Sequence, residues 1–252
     1  FRTVAIYSEA DAALPHVREA DTALCVGGAA SDSSYLNIDA ILAAAERSGA
    51  DGVHPGYGFL SENASFAQRV QDAGLTWIGP SPASIGDMGD KAAARRLAVQ
   101  HGVPVLEGFD EPDATDEQLI NAAESIGFPL LIKASAGGGG RGMRVVRQLD
   151  AMGTELTSAR REAESAFGNG AVLLERYVDN PRHIEVQLVG DTHGNICHLF
   201  ERECSIQRRH QKIVEEAPSP GVSSELRQQL GESAIRIARA ANYVGAGTVE
   251  FL

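Results

Sequence analysis

Short apolar runs alternate with helical patterns through the first third of the chain. The runs at residues 3–7 and 76–78 predict β-strands. A helix is predicted over residues 35–48, with Ser33 or Ser34 as its N-cap. Because strands that alternate with helices form parallel sheets, this part of the chain is expected to have an α/β fold.

A glycine-rich segment separates two apolar runs in the middle of the chain. Residues 129–132 and 143–146 read as strands, so K-A-S-A-G-G-G-G-R-G at 133–142 lies at the tip of a predicted hairpin. Ordering four consecutive glycines is costly, and a ligand that needs bare backbone amides, such as a nucleotide phosphate, would offset that cost. A mobile surface loop is the alternative.

Three familiar phosphate-binding patterns do not fit this segment. A dinucleotide fingerprint opens a helix, whereas the run after these glycines continues as a strand. The chain has no G-x-x-x-x-G-K-[ST] motif. It also lacks the H-R-D and D-F-G motifs of protein kinases, whose lysine lies on the strand after the glycines. A glycine lid over nucleotide phosphates, with Lys133 on the strand before it, is the remaining interpretation.

Polar residues dominate the segment after a second pair of predicted strands. Residues 183–189 alternate, which predicts an antiparallel strand with one polar face. Residues 201–212 are expected to form a polar loop between apolar strands, with enough positive charge to bind an anion. That charge comes from Arg208, Arg209, His210 and Lys212. A charged exposed turn is the alternative.

The last elements are a long helix and a strand with one carboxylate. Ser223 or Ser224 is predicted to cap a helix that runs to residue 242, and residues 248–252 form the strand. Glu250 lies within this strand, where a buried carboxylate would need a partner such as a divalent cation. The alternation also allows it to face solvent.

Composition restricts the ligand classes. The 252 residues are 43% hydrophobic and 22% charged, as in an ordinary globular protein. A formal charge of −12 excludes general nucleic-acid binding. No apolar run is long enough to cross a bilayer, and the first residues do not resemble a signal peptide. The three cysteines lack C-x-x-C spacing, so reduced thiols in a cytosolic-type compartment are expected.

Lysine is rare among the 22 basic residues of the chain. Only Lys91, Lys133 and Lys212 are lysines, which suggests that a compact ammonium is needed at these places. Lys91 is near a helix start, where the helix dipole disfavours a cation, so its charge could serve a ligand. Chance placement and a solvated Lys91 are the alternatives.

Several long motifs together resemble the biotin carboxylase component of biotin-dependent carboxylases, a family with the ATP-grasp fold. Besides the glycine segment, they are H-P-G-Y-G-F-L-S-E-N at 54–63, N-P-R-H-I-E at 180–185, E-R-E-C-S-I-Q-R-R-H-Q-K at 201–212 and G-A-G-T-V-E-F at 245–251. The resemblance runs along nearly the whole chain.

This resemblance implies a mixed α/β and α+β architecture. A partial Rossmann-like N-terminal domain, also called the pre-ATP-grasp domain, would occupy residues 1–88, and a connecting helix 89–104. The ATP-grasp lid subdomain with its glycine-rich loop would occupy 105–178, and the C-terminal ATP-grasp subdomain 179–252.

The resemblance also implies a ligase that uses ATP and bicarbonate to carboxylate biotin through carboxyphosphate. Lys212 would bind bicarbonate and act in catalysis with His210, and Glu250 would bind Mg²⁺ or Mn²⁺. The implied ATP contacts are Lys91, Lys133, Gly138, Gly139, Gly140, Arg141, Gly142, Glu175, Arg176, Tyr177, Val178, His183, Gln207 and His210.

The chain departs from the family pattern at both ends. The family's first strand with its A-N-R-G-E-I-A turn is absent, and so is its E-M-N-T-R-x-Q-V-E-H segment, which supplies a second metal-binding glutamate, the bicarbonate-activating glutamate and a biotin-binding arginine. On this resemblance, the chain is expected to be a piece of a longer subunit and inactive alone.

Partners and compartment follow from the same resemblance. Biotin would arrive as a substrate on a separate carrier domain, and a carboxyltransferase would use the product. A homodimer is expected, in the cytoplasm or in the mitochondrial matrix of a eukaryote, without nucleic acid or membrane partners.

Two alternatives and the acyl acceptor stay open. One alternative is a carbamoyl-phosphate synthetase-type ligase, which also phosphorylates bicarbonate. The other is a non-catalytic nucleotide-binding module. A-N-Y-V-G-A-G-T-V-E at 241–250 favours a methylcrotonyl- or geranyl-type acyl-CoA carboxylase over the propionyl and acetyl types.

Overall fold

The computed structural model describes residues 1–111, 113–135, 143–208 and 211–252. By their contacts, the residues divide into two compact units, 1–86 and 87–252. In the described part of the chain, no helix is both long and apolar enough to cross a membrane. The domain boundaries predicted above remain predictions.

The first unit pairs its short strands in parallel, as the alternation predicts. β1 pairs with β2, and β3 pairs with β4, both in parallel. Its strands are β1 (Val4–Ser8), β2 (Thr22–Gly27), β3 (Gly52–Val53) and β4 (Thr76–Trp77). Its helices are α1 (Pro15–Glu19), α2 (Ile38–Ser48) and α3 (Ala64–Asp72). Apolar side chains from these elements, including Ile41, Phe66 and Trp77, form its core.

The predicted start of the second helix was wrong. The helix α2 begins at Ile38, and Asn37 is its N-cap, because the Asn37 side chain accepts a hydrogen bond from the Ala40 N–H. The hydroxyls of Ser33 and Ser34 instead donate to the carbonyl of Ala30. Because the helix begins at Ile38, neither serine is next to its first turn, where an N-cap must lie.

The second unit contains two four-stranded sheets among its described residues. The helix α4 (Pro82–Gly89) spans the division between the units and was not predicted. The other helices are α5 (Lys91–Gln100), α6 (Asp116–Ile126), α7 (Met152–Phe167) and α8 (Ser224–Ala240). The strands are β5 (Gly108–Phe109), β6 (Leu130–Ala134), β7 (Arg144–Val146), β8 (Val172–Arg176), β9 (Ile184–Gly190), β10 (Ile196–Arg208), β11 (Gln211–Glu216) and β12 (Gly245–Phe251).

The first of these sheets contains the predicted hairpin. Its strand order is β5-β8-β6-β7, and β6 and β7 are antiparallel neighbours, so the two flanks of the glycine segment pair as predicted. The segment 136–142 itself lies outside the described residues. A core of Leu119, Leu130, Ile132, Leu156 and Leu174 joins the sheet to α6 and α7. This packing fixes Lys133, on β6, at the edge of the glycine segment.

The second sheet corrects the prediction of a polar loop at 201–212. Its strand order is β11-β10-β9-β12, and all its neighbours are antiparallel. Most of the polar segment belongs to β10 and β11 and is therefore β-sheet. Val186 and Leu188 pack on Ala234 and Ala238 of α8. Ser223 caps α8 as predicted, through a hydrogen bond from the Leu226 N–H.

Candidate active site

Lys133 lies in a charged cluster at the end of the first sheet. Its ammonium group donates to the Glu175 carboxylate on β8, and both side chains are less than one-fifth exposed. The Arg95 guanidinium on α5 lies 4.0 Å from the other Glu175 oxygen. One carboxylate therefore faces several cations, and the surplus positive charge suits an anionic ligand.

Lys91 completes this cluster from the first turn of α5. Its Nζ donates to the Ala134 carbonyl at 3.2 Å, one residue after Lys133. Burial lowers the pKa of the Lys91 ammonium, the nearby Lys133 charge lowers it further, and Glu175 opposes both effects. The cost of holding Lys91 charged without an anion is consistent with a binding role for its ammonium. Lys91 and Lys133, two of the three lysines singled out by sequence, are thus close together.

Lys212 lies in a second charged cluster, on the other sheet. From the edge strand β11, its ammonium reaches Glu185 on β9 and Glu250 on β12, the latter at 2.9 Å. Glu185 is almost fully buried, whereas the Glu250 side chain is 55% exposed. The alternative that Glu250 faces solvent is the one observed, and its immediate partner is Lys212.

His183 connects this cluster to β10. Its Nδ1 lies 2.7 Å from the Gln207 side-chain nitrogen, and its Nε2 lies 3.5 Å from oxygens of Glu185 and Glu250. The Ser205 hydroxyl accepts a hydrogen bond from the His183 backbone N–H at 3.0 Å. The predicted site residues His183, Gln207, Lys212 and Glu250 are therefore brought together.

Two further carboxylates lie on β10, the strand that carries Gln207, and each has its own hydrogen-bond partners. Glu201 and Glu203 are both at least 95% buried. Hydrogen bonds from Arg227 lower the pKa of Glu201, and hydrogen bonds from Ser219 first, then Ser205 and Arg182, lower that of Glu203. Both carboxylates are consequently ionised at neutral pH and rigidly held.

The implied ATP contacts at 175–178 lie at the end of β8 and just after it. Arg176 is the last residue of β8 and bonds Glu107 at 2.9 Å. The Tyr177 N–H donates to the Pro129 carbonyl, and the Arg147 guanidinium lies 5.9 Å from the centre of the Tyr177 ring. Val178 follows in a half-buried, irregular segment. The predicted site residues Gly138, Gly139, Gly140, Arg141, Gly142 and His210, together with Arg209, lie outside the described residues.

Sequence reasoning missed Glu185 and Arg202. Glu185 contacts Lys212, Arg202 and the His183 ring, and Arg202 Nη2 donates to it at 2.7 Å. The alternation of residues 183–189 already put His183 and Glu185 on the same face of one strand. That face was interpreted only as polar, although a carboxylate beside a candidate ligand-binding histidine was a usable signal.

The donor atoms near Lys212 fit a divalent cation. Ligand atoms of His183, Glu185 and Glu250 lie within 4.8 Å of one another. One of them, His183 Nε2, is buried without a hydrogen-bond partner, and another, Glu185 Oε1, is buried against the Lys212 ammonium. Carboxylate oxygens are the ligands that Mg²⁺ prefers, so Glu250 and Glu185 are the residues that would hold it.

Comparison with known families assigns the two parts of the chain. Residues 1–85 match the model "Biotin carboxylase, N-terminal domain", and residues 90–252 match "Carbamoyl-phosphate synthase L chain, ATP binding domain". The chain is 52% identical over 251 residues to the mitochondrial methylcrotonoyl-CoA carboxylase subunit alpha of Rattus norvegicus, and it spans 35% of that protein's length.

Solved structures give the same assignment. A biotin carboxylase from Campylobacter jejuni, crystallised as a β,γ-ATP complex, superposes with a TM-score of 0.96 at 47% identity, over 99% of this chain and 56% of its own. The biotin carboxylase domain dimer of Hydrogenobacter thermophilus 2-oxoglutarate carboxylase, in complex with MgADP, ADP and bicarbonate, superposes with a TM-score of 0.94 at 45% identity, over 100% of this chain and 55% of its own. The α/β architecture with an ATP-grasp unit is therefore confirmed.

The charged clusters thus lie in a fold whose related members have been crystallised with nucleotide and, in one case above, with bicarbonate. Both parts of the chain match domains found together in biotin-dependent carboxylases. The chain belongs to the biotin carboxylase family and carries its N-terminal domain and its ATP-grasp domain.

Proposed function

We propose that this chain supplies the ATP-binding and bicarbonate-binding groups for the carboxylation of biotin. In the proposed reaction, a bicarbonate oxygen attacks the γ-phosphorus of ATP, and ADP leaves. The resulting carboxyphosphate releases CO₂ and phosphate, and the CO₂ is taken up by a ureido nitrogen of biotin with loss of its proton. The activity belongs to the full-length protein, since the chain spans only 35% of the curated relative.

The presence of two separate lysine clusters in one ATP-grasp unit carries this proposal. The lysine pair Lys91 and Lys133 shares the carboxylate Glu175, whereas Lys212 is held by Glu185 and Glu250. A ligase that joins ATP to a second anion needs positive charge at two places. A protein that only binds nucleotide would have no such need for the Lys212 cluster.

In the proposed mechanism the first cluster binds ATP. Lys91 and Lys133 neutralise phosphate oxygens, and the amides of Gly139 and Gly140 close over them. The residues 175–178 contact adenine, and His183 with Gln207 holds the ribose. His183 is suited to this because Gln207 and Ser205 fix its ring and its backbone.

The second cluster then binds and orients bicarbonate. Lys212 provides the ammonium, and its position is set by the buried Glu185. His210 is proposed to act beside it on the transferred phosphoryl group. Holding two reactants together in this way converts their encounter into an intramolecular step, which is a large part of the acceleration that positioning can provide.

Glu250, with Glu185 beside it, is the proposed site for Mg²⁺ or Mn²⁺. When bound, the cation neutralises charge on phosphate oxygens. Because Lys212 lies 2.9 Å from Glu250 in this structure, the ammonium already compensates the carboxylate that the cation would share.

The partners proposed for the full-length protein are a biotin carrier domain, a carboxyltransferase and a second copy of the biotin carboxylase component. The motif at 241–250 is the observation that supports an acyl-CoA carboxylase with a branched-chain acceptor. The solved dimer of a related domain supports the homodimer. Transfer of carboxyl groups to methylcrotonyl-CoA, compared with acetyl-CoA, tests the acceptor.

ATP turnover by the full-length natural protein tests the main proposal. ADP release should require bicarbonate and should rise on addition of free biotin. The family that residues 90–252 match is named after carbamoyl-phosphate synthase. A ligase of that type would instead respond to an ammonia donor, and biotin would not change its ATP turnover. Bicarbonate-independent or biotin-insensitive turnover would contradict the proposal, and ATP binding without turnover would indicate a non-catalytic module.

A further inference from the structure

Arg202 lies beside the Lys212 cluster but is not among the residues proposed to touch ATP, bicarbonate or the cation. It is on β10, and its Nη2 donates to Glu185 Oε2 at 2.7 Å. Its Nε lies 3.4 Å from the Glu215 carboxylate on β11. Arg202 therefore connects the strands on both sides of its own, with Glu185 as its buried partner.

The sheet register explains why Glu185 needs this contact. On β9, Glu185 lies directly opposite Arg202 of β10 on one side and Glu250 of β12 on the other. Like charges directly opposite each other repel. Glu250 is exposed to water, but Glu185 is only 2% exposed and depends on cations for its stability as a carboxylate.

The two oxygens of Glu185 are divided between two cations. Oε2 accepts from Arg202, and Oε1 faces Lys212. Without Arg202, Lys212 would be the only lysine or arginine left on this carboxylate among the described residues. Its charge would then be used to compensate Glu185 and would be less available to an external anion.

We propose that Arg202 is a positioning residue that holds Glu185 so that Oε1 fixes the Lys212 ammonium where bicarbonate binds. This inference rests on the proposed function, since it assigns Lys212 to bicarbonate. The proposed role requires an arginine in particular. Two different nitrogens of the planar Arg202 guanidinium face carboxylates on two strands, Glu185 on β9 and Glu215 on β11.

Steady-state kinetics of the Arg202→Met variant of the full-length protein test this role. The assay is biotin-stimulated ATP hydrolysis, with bicarbonate and ATP varied separately. We expect KM for bicarbonate to rise about tenfold, because about one well-placed charge interaction is lost. KM for ATP should stay within about twofold of wild type. Glu215→Gln is the matched control, because it removes the exposed partner of Arg202 and leaves the Glu185 contact in place. It should leave both constants within about twofold of wild type.

The outcomes separate this inference from the function on which it rests. An unchanged KM for bicarbonate in Arg202→Met would overturn the inference alone. Equal rises in both KM values would also overturn it, because they would indicate a general structural role. A wild-type protein whose ATP hydrolysis does not depend on bicarbonate would overturn the proposed function and this inference with it.

Discussion

The Glu201→Gln substitution removes the negative charge from a carboxylate that is 3% exposed on β10. Arg227 of α8 donates two hydrogen bonds to it, each at 2.7 Å, and the Ser219 N–H donates a third at 3.2 Å. The pair therefore joins the strand that carries Gln207 to the helix behind the sheet. Gln has the same shape, so the substitution changes charge and hydrogen bonding without leaving a cavity.

The expected cost follows from these contacts. Hydrogen bonds to charged groups contribute about 1.5–3 kcal/mol each. The amide retains one acceptor oxygen, but its NH₂ group would face an Arg227 donor and lose one such bond. We therefore expect Glu201→Gln to lower the free energy of unfolding by about 2–3 kcal/mol at pH 7.

The pH dependence has a defined sign. Hydrogen bonds from Arg227 hold the pKa of Glu201 below its ordinary value of 4.5 in the folded protein. A carboxylate with a depressed pKa contributes stability that is fully present above the unfolded value and is lost as the pH falls through the folded value. The difference between wild type and variant should therefore be constant near neutral pH and should shrink below about pH 4.5.

Urea denaturation at a series of pH values measures this difference. Glu232→Gln, an exposed substitution on α8, is the control and should change stability by less than about 0.5 kcal/mol. A Glu201→Gln variant as stable as the control at pH 7 would refute the reasoning. So would a difference that grows as the solution becomes acidic, because the charge would then be unfavourable in the folded state.

Two smaller sets of substitutions test local features. Gly231→Ala places a Cβ 2.6 Å from the His198 ring and should cost about 1–3 kcal/mol in urea denaturation, whereas Gly153→Ala, with nothing within 4 Å, should stabilise by about 0.5–1 kcal/mol. Equal effects would show that the close approach is unimportant. Ser205→Ala leaves the His183 N–H without its acceptor and should weaken ATP binding about fivefold in calorimetry, which corresponds to about 1 kcal/mol. Unchanged ATP affinity would show that the hydrogen bond from the His183 backbone does not contribute to nucleotide binding.

The sequence was sufficient where local patterns determine the structure. The apolar runs around the glycine segment pair as β6 and β7, and Ser223 caps α8. The start of α2 could not be predicted reliably, because Ser33, Ser34 and Asn37 are all good caps and their actual partners decide among them.

The polar segment on β10 was misread for a different reason. Its charges are neutralised by partners far away in sequence, since Glu201 pairs with Arg227 and Arg202 with Glu185. A polar strand becomes stable only when those partners are in place, and no pattern within the segment reveals them. Glu185 is different, because its place on the same strand face as His183 was a signal in the sequence that went unused.

Calorimetric titration of Mg²⁺-ATP into wild type, Lys133→Met and Lys212→Met tests most directly the claim that the two lysine clusters bind different anions. Arg161→Met, an exposed change on α7, is the control, and unfolding midpoints exclude misfolded variants. We expect Lys133→Met to weaken ATP binding about tenfold or more, about 1.4 kcal/mol, and Lys212→Met to change it by less than about threefold. Equal losses in the two lysine variants, or wild-type affinity in Lys133→Met, would contradict the claim.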